Sequence, residues 1–309
     1  MTQTYTDNPF NMADIMQYII TDKTQYAQEI FTAEKCFIYD TCAFRKHVRL
    51  EQPEILFEFI KKKNGIVMIT RTIIMELASA NKSLNMEYIE YLEKMHRAGI
   101  RVLVIYEEEL FDILNQCFTS RGRVNEFLGT AIKVVKSTAG TISKVYNSEK
   151  QLREEIMTRH NTDSTLFARF FEKVRKNKES GDNLGEEMIA VCIHMLSNIP
   201  DIQNYKYIVL TEDKGAISLM NKTQKNIWRH LEKKAGTAAT TIALGQKLYQ
   251  EKLIETKEEL EHIISAGNPE ELVKILASEE YDLEPREKTM SCREVTDKIV
   301  TPNAIHIYY

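Results

Sequence analysis

Lys35-Cys36-Phe37-Ile38-Tyr39-Asp40 decides the fold: a short run of strand-forming residues ends abruptly on a carboxylate. Three more short apolar runs share its character: Ile66–Thr70, Arg101–Tyr106 and Tyr207–Thr211. Helical patterns separate them, and a β-α-β-α-β order of this kind gives a parallel sheet. Strands apolar on both faces suit a sheet covered by helices on both sides. The reading is a Rossmann-like α/β fold, a three-layer α/β/α body with a parallel sheet built from 35–40, 66–70, 101–106 and 207–211.

Working outward, residues 12–30 read as an amphipathic helix. Pro53 opens a second helix through Lys62, closed by Lys61-Lys62-Lys63-Asn64-Gly65. A long helix is expected over 71–97, ending near Gly99. From about 107 to 180 strand signals vanish, and helical spacing appears at Phe127, Ile132 and Val135, then at Leu166, Phe170 and Val174. Helices follow at Asn183–Leu196 and from Lys214, then a further strand at Ile227–Leu231. Helices near 237–254, 257–265 and 269–277 and a terminal strand at Ile305–Tyr309 complete the expectation. The whole, 1–309, reads as one domain with a large helical insertion at about 107–180 and a C-terminal helical extension at about 251–309.

The chain has 309 residues, 43% hydrophobic and 28% charged, with net charge −4. That is the composition of an ordinary soluble globular protein, and any nucleic-acid surface must be local. Residues 119–180 carry 13 Lys/Arg against 7 Asp/Glu, whereas 251–309 carry 7 against 14. No apolar run approaches the roughly 20 residues of a membrane span, and the N-terminus lacks a basic segment followed by an apolar one. The five cysteines show no CxxC spacing. The expected setting is cytoplasmic.

The acids carry the chemistry. Asp40 and Asp213 each follow a strand, Glu76 lies in the helix after the second strand, and Asp182 and Glu186 open a later helix. Each alone has an ordinary explanation as a helix cap or a solvated residue. Together they are less ordinary, because ligands of open parallel sheets bind outside the carboxyl ends of the strands. Asp182 and Glu186, four apart, share a helix face. Carboxylates gathered there without cations repel one another, and a hard divalent ion such as Mg²⁺ or Mn²⁺ relieves that.

These residues resemble the PIN-domain nucleases, a family of metal-dependent enzymes that mostly cut single-stranded RNA. The resemblance is carried by Tyr39-Asp40-Thr41, Glu76-Leu77-Ala78, Gly185-Glu186-Glu187-Met188-Ile189-Ala190 and Thr211-Glu212-Asp213, in the family's order, over about 35–117 and 181–250. It implies catalytic residues at Asp40, Glu76, Glu186 and Asp213. Asp182 is an acid beyond the family's pattern, so that it, Glu186 or both complete the metal site, and Thr211, two residues before Asp213, is placed to hydrogen-bond a ligand carboxylate or a metal-bound water. The implied cofactor is Mg²⁺ or Mn²⁺. The acids could hold one or two such ions, and a pair about 4 Å apart would activate a water and stabilise the leaving oxygen.

Arg45, Lys46, Arg169, Lys173, Arg175 and Lys176 are the candidate phosphate contacts, and Trp228 reads as a core residue. The histidines lack HxxxH and HExxH spacing, and GxGxxG, GxxxxGK[ST] and GxSxG are all absent. The expected function is a metal-dependent endoribonuclease acting on single-stranded RNA, in the manner of a toxin or a stress or phage-defence effector. A protein antitoxin or regulatory partner and a homo-oligomer fit the same reading. Two alternatives stand beside it: a non-catalytic PIN-like module that binds protein or RNA, and a structure-selective DNA nuclease.

Overall fold

The structure is a computed structural model that describes residues 5–135, 139–279, 282 and 284–308. A 3₁₀ turn at Met12–Ile15 and helix α1 (Lys23–Thr32) lead into β1 (Lys35–Tyr39). Helices α2 (Thr41–His47) and α3 (Glu54–Lys62) precede β2 (Gly65–Thr70). Then come α4 (Arg71–Leu77), α5 (Met86–Arg97) and β3 (Val102–Ile105). The helix expected over 12–30 is therefore a turn and a shorter helix, and the one expected over 71–97 is two. The break has a distant cause. The Asn11 side chain accepts from the Leu84 amide at 2.8 Å and donates to the Leu84 carbonyl at 3.1 Å, which fixes a loop that periodicity alone does not disclose.

Residues 107–180 are helical as expected: a 3₁₀ turn at Glu107–Glu109, α6 (Leu110–Asn115), α7 (Arg121–Val135), α8 (Thr141–Ser148), α9 (Lys150–Met157) and α10 (Leu166–Lys176). The apolar faces of these helices join the same core as the sheet. Phe167, Phe170 and Phe171 of α10 are fully buried with Phe37 of β1, each such side chain contributing about 1.5–3 kcal/mol by burial. Arg175 is also buried, 3% exposed. Its guanidinium pairs with Glu107 at 2.9 Å, Glu108 at 2.8 Å and Asp7 at 3.1 Å. Glu107 in turn accepts from the Thr72 amide and hydroxyl at 3.0 and 2.7 Å. That network ties α10 to the first turn of α4, the helix that carries Glu76.

Helix α11 (Leu184–Leu196), β4 (Tyr207–Leu210), α12 (Lys214–Leu231) and β5 (Gly236–Ala239) resume the α/β alternation. The five strands form one all-parallel sheet of order β3-β2-β1-β4-β5, with helices flanking it. Ile227–Leu231 is the end of α12 rather than a strand, since buried positions along that helix recur every three or four residues through Ile227. The fifth strand lies instead at Gly236-Thr237-Ala238-Ala239, inside the segment expected to be helical. Its pairing with β4 (Tyr207 opposite Gly236) overrides the helix preference of alanine.

The C-terminal part departs further from expectation. After α13 (Thr241–Gln250) and α14 (Lys257–Ser265) come β6 (Leu272–Glu279), β7 (Arg286–Ser291), α15 (Cys292–Val300) and β8 (Ile305–Ile307). The three strands form an antiparallel sheet of order β7-β6-β8, so 251–309 is not a helical extension and 269–277 is not a helix. Ile275 and Ala277, two apart, are its buried face in β6, the period of a strand. The terminal strand is β8, and Tyr309 lies outside the described residues. Among the described residues, no helix is long and apolar enough to cross a membrane.

Candidate functional site

In the order β3-β2-β1-β4-β5 the chain runs outward from β1 to β3, then returns to place β4 on the other side of β1. The crevice between the carboxyl ends of β1 and β4 is the topological switch point, where open α/β sheets bind ligands. Asp40 and Asp213 stand on its two sides. Tyr39 and Leu210 are opposite each other in the register, and the Asp40 amide donates to the Leu210 carbonyl at 3.0 Å.

Asp40 is 3% exposed and caps α2. Its Oδ1 accepts from the Thr41 amide at 2.7 Å. Its Oδ2 accepts from Thr211 Oγ1 at 2.7 Å and from the Cys42 thiol at 2.9 Å. Burial, then the charge of Asp40, keeps that thiol protonated and donating. Thr211 thus holds the Asp40 carboxylate from the neighbouring strand. Asp213 caps α12 through Ala216 N at 2.9 Å and is exposed. Its amide donates to Thr211 Oγ1 at 3.0 Å, so one threonine ties both aspartates.

Glu76, half-buried on α4, accepts from the Thr41 hydroxyl, and Thr41 thereby bridges Asp40 and Glu76. Gly185 at the start of α11 packs against the Glu76 carboxylate: a Cβ there would lie 2.9 Å from Oε1, so a larger residue would push the Glu76 carboxylate aside. The next residue of α11, Glu186, is half-buried. Burial first, then the negative charge of Asp40, with smaller contributions from Glu76 and Asp213, pushes its carboxyl up to about 8. The four acids therefore act on one another electrostatically across the switch point.

The sequence reading had no cation for this cluster, and the structure supplies one. Lys178, in the loop between α10 and α11, points a buried ammonium at Glu76 Oε1 at 3.0 Å and also pairs with Asp182. It lies 4.8 Å from the centre of the Tyr5 ring. Burial alone lowers the pKa of Lys178, but the two carboxylates outweigh it and raise it. The Glu76 carboxyl remains raised because its burial outweighs Lys178. Asp182 also accepts from Thr141 Oγ1 at 2.8 Å and the Glu179 amide at 2.8 Å. Burial raises its pKa, but these bonds, led by that from Lys178, outweigh it and lower it. Asp182 is thus committed to building the α10–α11 loop, and Glu186 is the acid of that pair whose carboxyl the charge of Asp40 raises.

Among the described residues, no three His, Cys, Asp or Glu side chains stand together in metal-binding geometry. The hydrogen bonds give the physical reason: Thr41, Cys42, Thr211 and Lys178 each draw a carboxylate oxygen to themselves. The donor set at the crevice is nonetheless all oxygen, which suits Mg²⁺ or Mn²⁺ and not zinc. A carboxylate has about four lone-pair positions, so Asp40 keeps acceptor capacity beyond its three bonds.

Behind the acids runs a buried polar chain. Tyr91 OH meets Tyr39 OH at 3.1 Å, Tyr39 OH meets His47 Nδ1 at 2.9 Å, and His47 Nε2 meets Thr241 Oγ1 at 3.0 Å. Thr241 reaches Glu212 at 2.6 Å, and Glu212 pairs with Lys46 at 3.1 Å. Burial holds His47 down at about 4, so it is neutral here and serves as a structural link.

Of the expected phosphate contacts, Arg45 is exposed at the rim, donating to the Glu76 carbonyl at 3.1 Å. Lys46 is engaged by Glu212. Arg169 pairs with Glu155 and Asp163, Lys173 with Glu149 and Lys176 with Glu172. Arg175 is corrected outright: it is a buried structural cation and faces no phosphate. Lys144, Arg169, Lys173 and Lys176 pair with acids of the insertion, and Arg175 and Lys178 pair with acids outside 119–180. Sequence reasoning also missed Thr41, Cys42 and Lys178. The first two directly follow Asp40 in the chain, and the i,i+4 spacing of Lys178 and Asp182 is a signal that was available. Compared with known protein families, curated proteins and solved structures, the chain shows no match. The reading of this site rests on its own residues.

Proposed function

We propose that the chain is a metal-dependent nuclease of the PIN-like kind, cutting single-stranded RNA at the β1–β4 crevice. The observation that carries this reading is the pair Asp40 and Asp213 on the two sides of the switch point, tied by Thr211, with Glu76 joined to Asp40 through Thr41. Asp40, Glu186 and Asp213 are the residues to hold Mg²⁺ or Mn²⁺. Such an ion, when bound, acidifies water and neutralises charge on the scissile phosphate. The bonds from Thr41, Cys42 and Thr211 fix the orientation of the Asp40 carboxylate. Arg45 at the rim is placed to meet a phosphate of the strand. Lys178 offsets the charge of Glu76, which lets the cluster fold before any ligand arrives.

One observation favours a second reading. Lys178 neutralises Glu76 and Asp182 from within, so the crevice does not need a metal to satisfy those two acids. A non-catalytic module that binds RNA or protein fits that fact. Labelled single-stranded RNA and DNA, incubated side by side with Mg²⁺ or Mn²⁺, separate the two. The nuclease reading expects metal-dependent cleavage of RNA that Asp40→Asn abolishes. Binding without cleavage in the wild type supports the module, and faster cleavage of DNA reassigns the substrate.

A further inference from the structure

Trp228, the chain's sole tryptophan, was expected in the core but stands 50% exposed on the last turn of α12. Tyr205, 43% exposed, lies beside it in the turn before β4. With Gln224, Lys225, Arg229 and Lys234 they line a shallow hollow of about 360 Å³. The Lys234 ammonium lies 6.0 Å from the centre of the Trp228 ring.

The hollow is built, not incidental. The Lys234 carbonyl accepts from the Tyr205 amide at 2.6 Å, and its amide donates to Asn204 Oδ1 at 3.2 Å. Lys35 Nζ donates to the carbonyls of Asn204 at 3.2 Å and Tyr205 at 2.9 Å. These bonds hold Tyr205 at φ 54°, a left-handed conformation that a non-glycine residue adopts at a cost. Gln224 fixes the other wall, donating to the Lys233 carbonyl at 2.8 Å and accepting from the Gly236 amide at 2.9 Å.

Its charge is unspent. Among the described residues, Lys225, Arg229 and Lys234 pair with no carboxylate, whereas Arg169, Lys173, Arg175, Lys176 and Lys178 all do. Exposed aromatic faces among unpaired cations suit a polyanion carrying flat rings: bases stack on the rings, phosphates meet the cations, and no sequence is read.

We propose that this hollow binds single-stranded nucleic acid, with a base stacked on Trp228 beside Tyr205 and phosphates on Lys225, Arg229 and Lys234. Trp228 lies 15 residues along α12 from the Asp213 cap, about 22 Å at the helical rise. The surface is therefore separate from the acidic crevice and does not require that crevice to be catalytic.

The test is binding by the full chain without divalent metal. A fluorescein-labelled oligouridylate of about 12 nucleotides falls within the usual size of a single-strand site. Its anisotropy gives affinity, and emission from the sole tryptophan reports this hollow alone. Wild-type emission should be quenched on binding. Trp228→Ala should weaken binding about tenfold, while Trp228→Phe keeps most of the affinity. Lys225→Ala, Arg229→Ala and Lys234→Ala together should shrink the log–log salt slope by about 2, at about 0.7 per phosphate contact. Because no divalent metal is present, this result stays apart from any result on cleavage. The proposal is overturned if the oligonucleotide binds without quenching, or if Trp228→Ala keeps its affinity within about twofold. It is equally overturned if polyglutamate competes as well as RNA, which would assign the hollow to an acidic protein segment.

Discussion

In metal-free buffer, Glu186→Gln should make the protein more stable at neutral and alkaline pH, against the usual effect of altering a site residue. The Glu186 carboxyl titrates near 4.5 in an unfolded chain and is pushed up to about 8 in the fold, by burial first and then by Asp40. Between those values the folded state holds a proton that the unfolded state has released. Stability from this group is therefore fully present below about 4.5 and is lost as pH rises through about 8. The difference of about 3.5 pH units converts to about 5 kcal/mol, and water reaching this half-buried group trims it to about 3 kcal/mol. Glutamine cannot titrate, so the variant is spared the loss. At roughly 2 °C per kcal/mol for a chain of this size, it should melt about 5 °C above the wild type at pH 9 and equal it at about pH 4. Thermal melts in EDTA across that range provide the assay. Adding Mn²⁺ at alkaline pH should raise the wild-type Tm and close much of the gap. Melting curves that stay parallel from acid to alkaline pH would show that burial and the neighbouring acids do not raise the Glu186 carboxyl.

Three further outcomes follow from the same structure. Lys178→Met strands Glu76 and Asp182 without their cation and should cost about 3 kcal/mol in a urea melt, part of it regained with Mn²⁺; a loss below about 0.5 kcal/mol would mean the pair is loose in solution. Arg175→Met leaves Glu107 buried and unpaired and should cost about 3–5 kcal/mol by the same measure, without the Mn²⁺ recovery; a surface-like loss would deny the buried network its role in holding α4. Arg169→Ala, Lys173→Ala and Lys176→Ala together break surface pairs of about 0–1 kcal/mol each and should leave the salt slope of RNA binding nearly unchanged; a slope reduced by about 2 would return the phosphate surface to the insertion.

The central sheet was legible because β1, β2, β3 and β4 are short apolar runs that end at a carboxylate, a threonine or a turn, a signal local to each strand. Strand β5 was not, because Gly236-Thr-Ala-Ala has no apolar pattern of its own and is a strand only by pairing with β4. Strand β7, Arg-Glu-Lys-Thr-Met-Ser, is nearly all polar for the same reason: it pairs through its backbone with β6 and buries little. Asp40 and Asp213 could be placed on one edge from strand direction alone. The partners of the acids could not, since Lys178 reaches Glu76 across about a hundred residues of chain. Arg175 shows the limit of counting charges: thirteen cations in 119–180 read as a basic surface, yet this one is buried against acids from outside that segment. Trp228 shows the converse, an aromatic on a helix whose burial depends on which turn of α12 still touches the core.

The most direct test of the metal site is anomalous diffraction from crystals of the full chain soaked in Mn²⁺, collected for the wild type and for Asp40→Asn. The account predicts an anomalous peak in the β1–β4 crevice, about 2–2.6 Å from carboxylate oxygens of Asp40 and of Glu186 or Asp213, and its loss in the variant. A crevice without that peak at saturating Mn²⁺, with Lys178 still seated on Glu76, would contradict it.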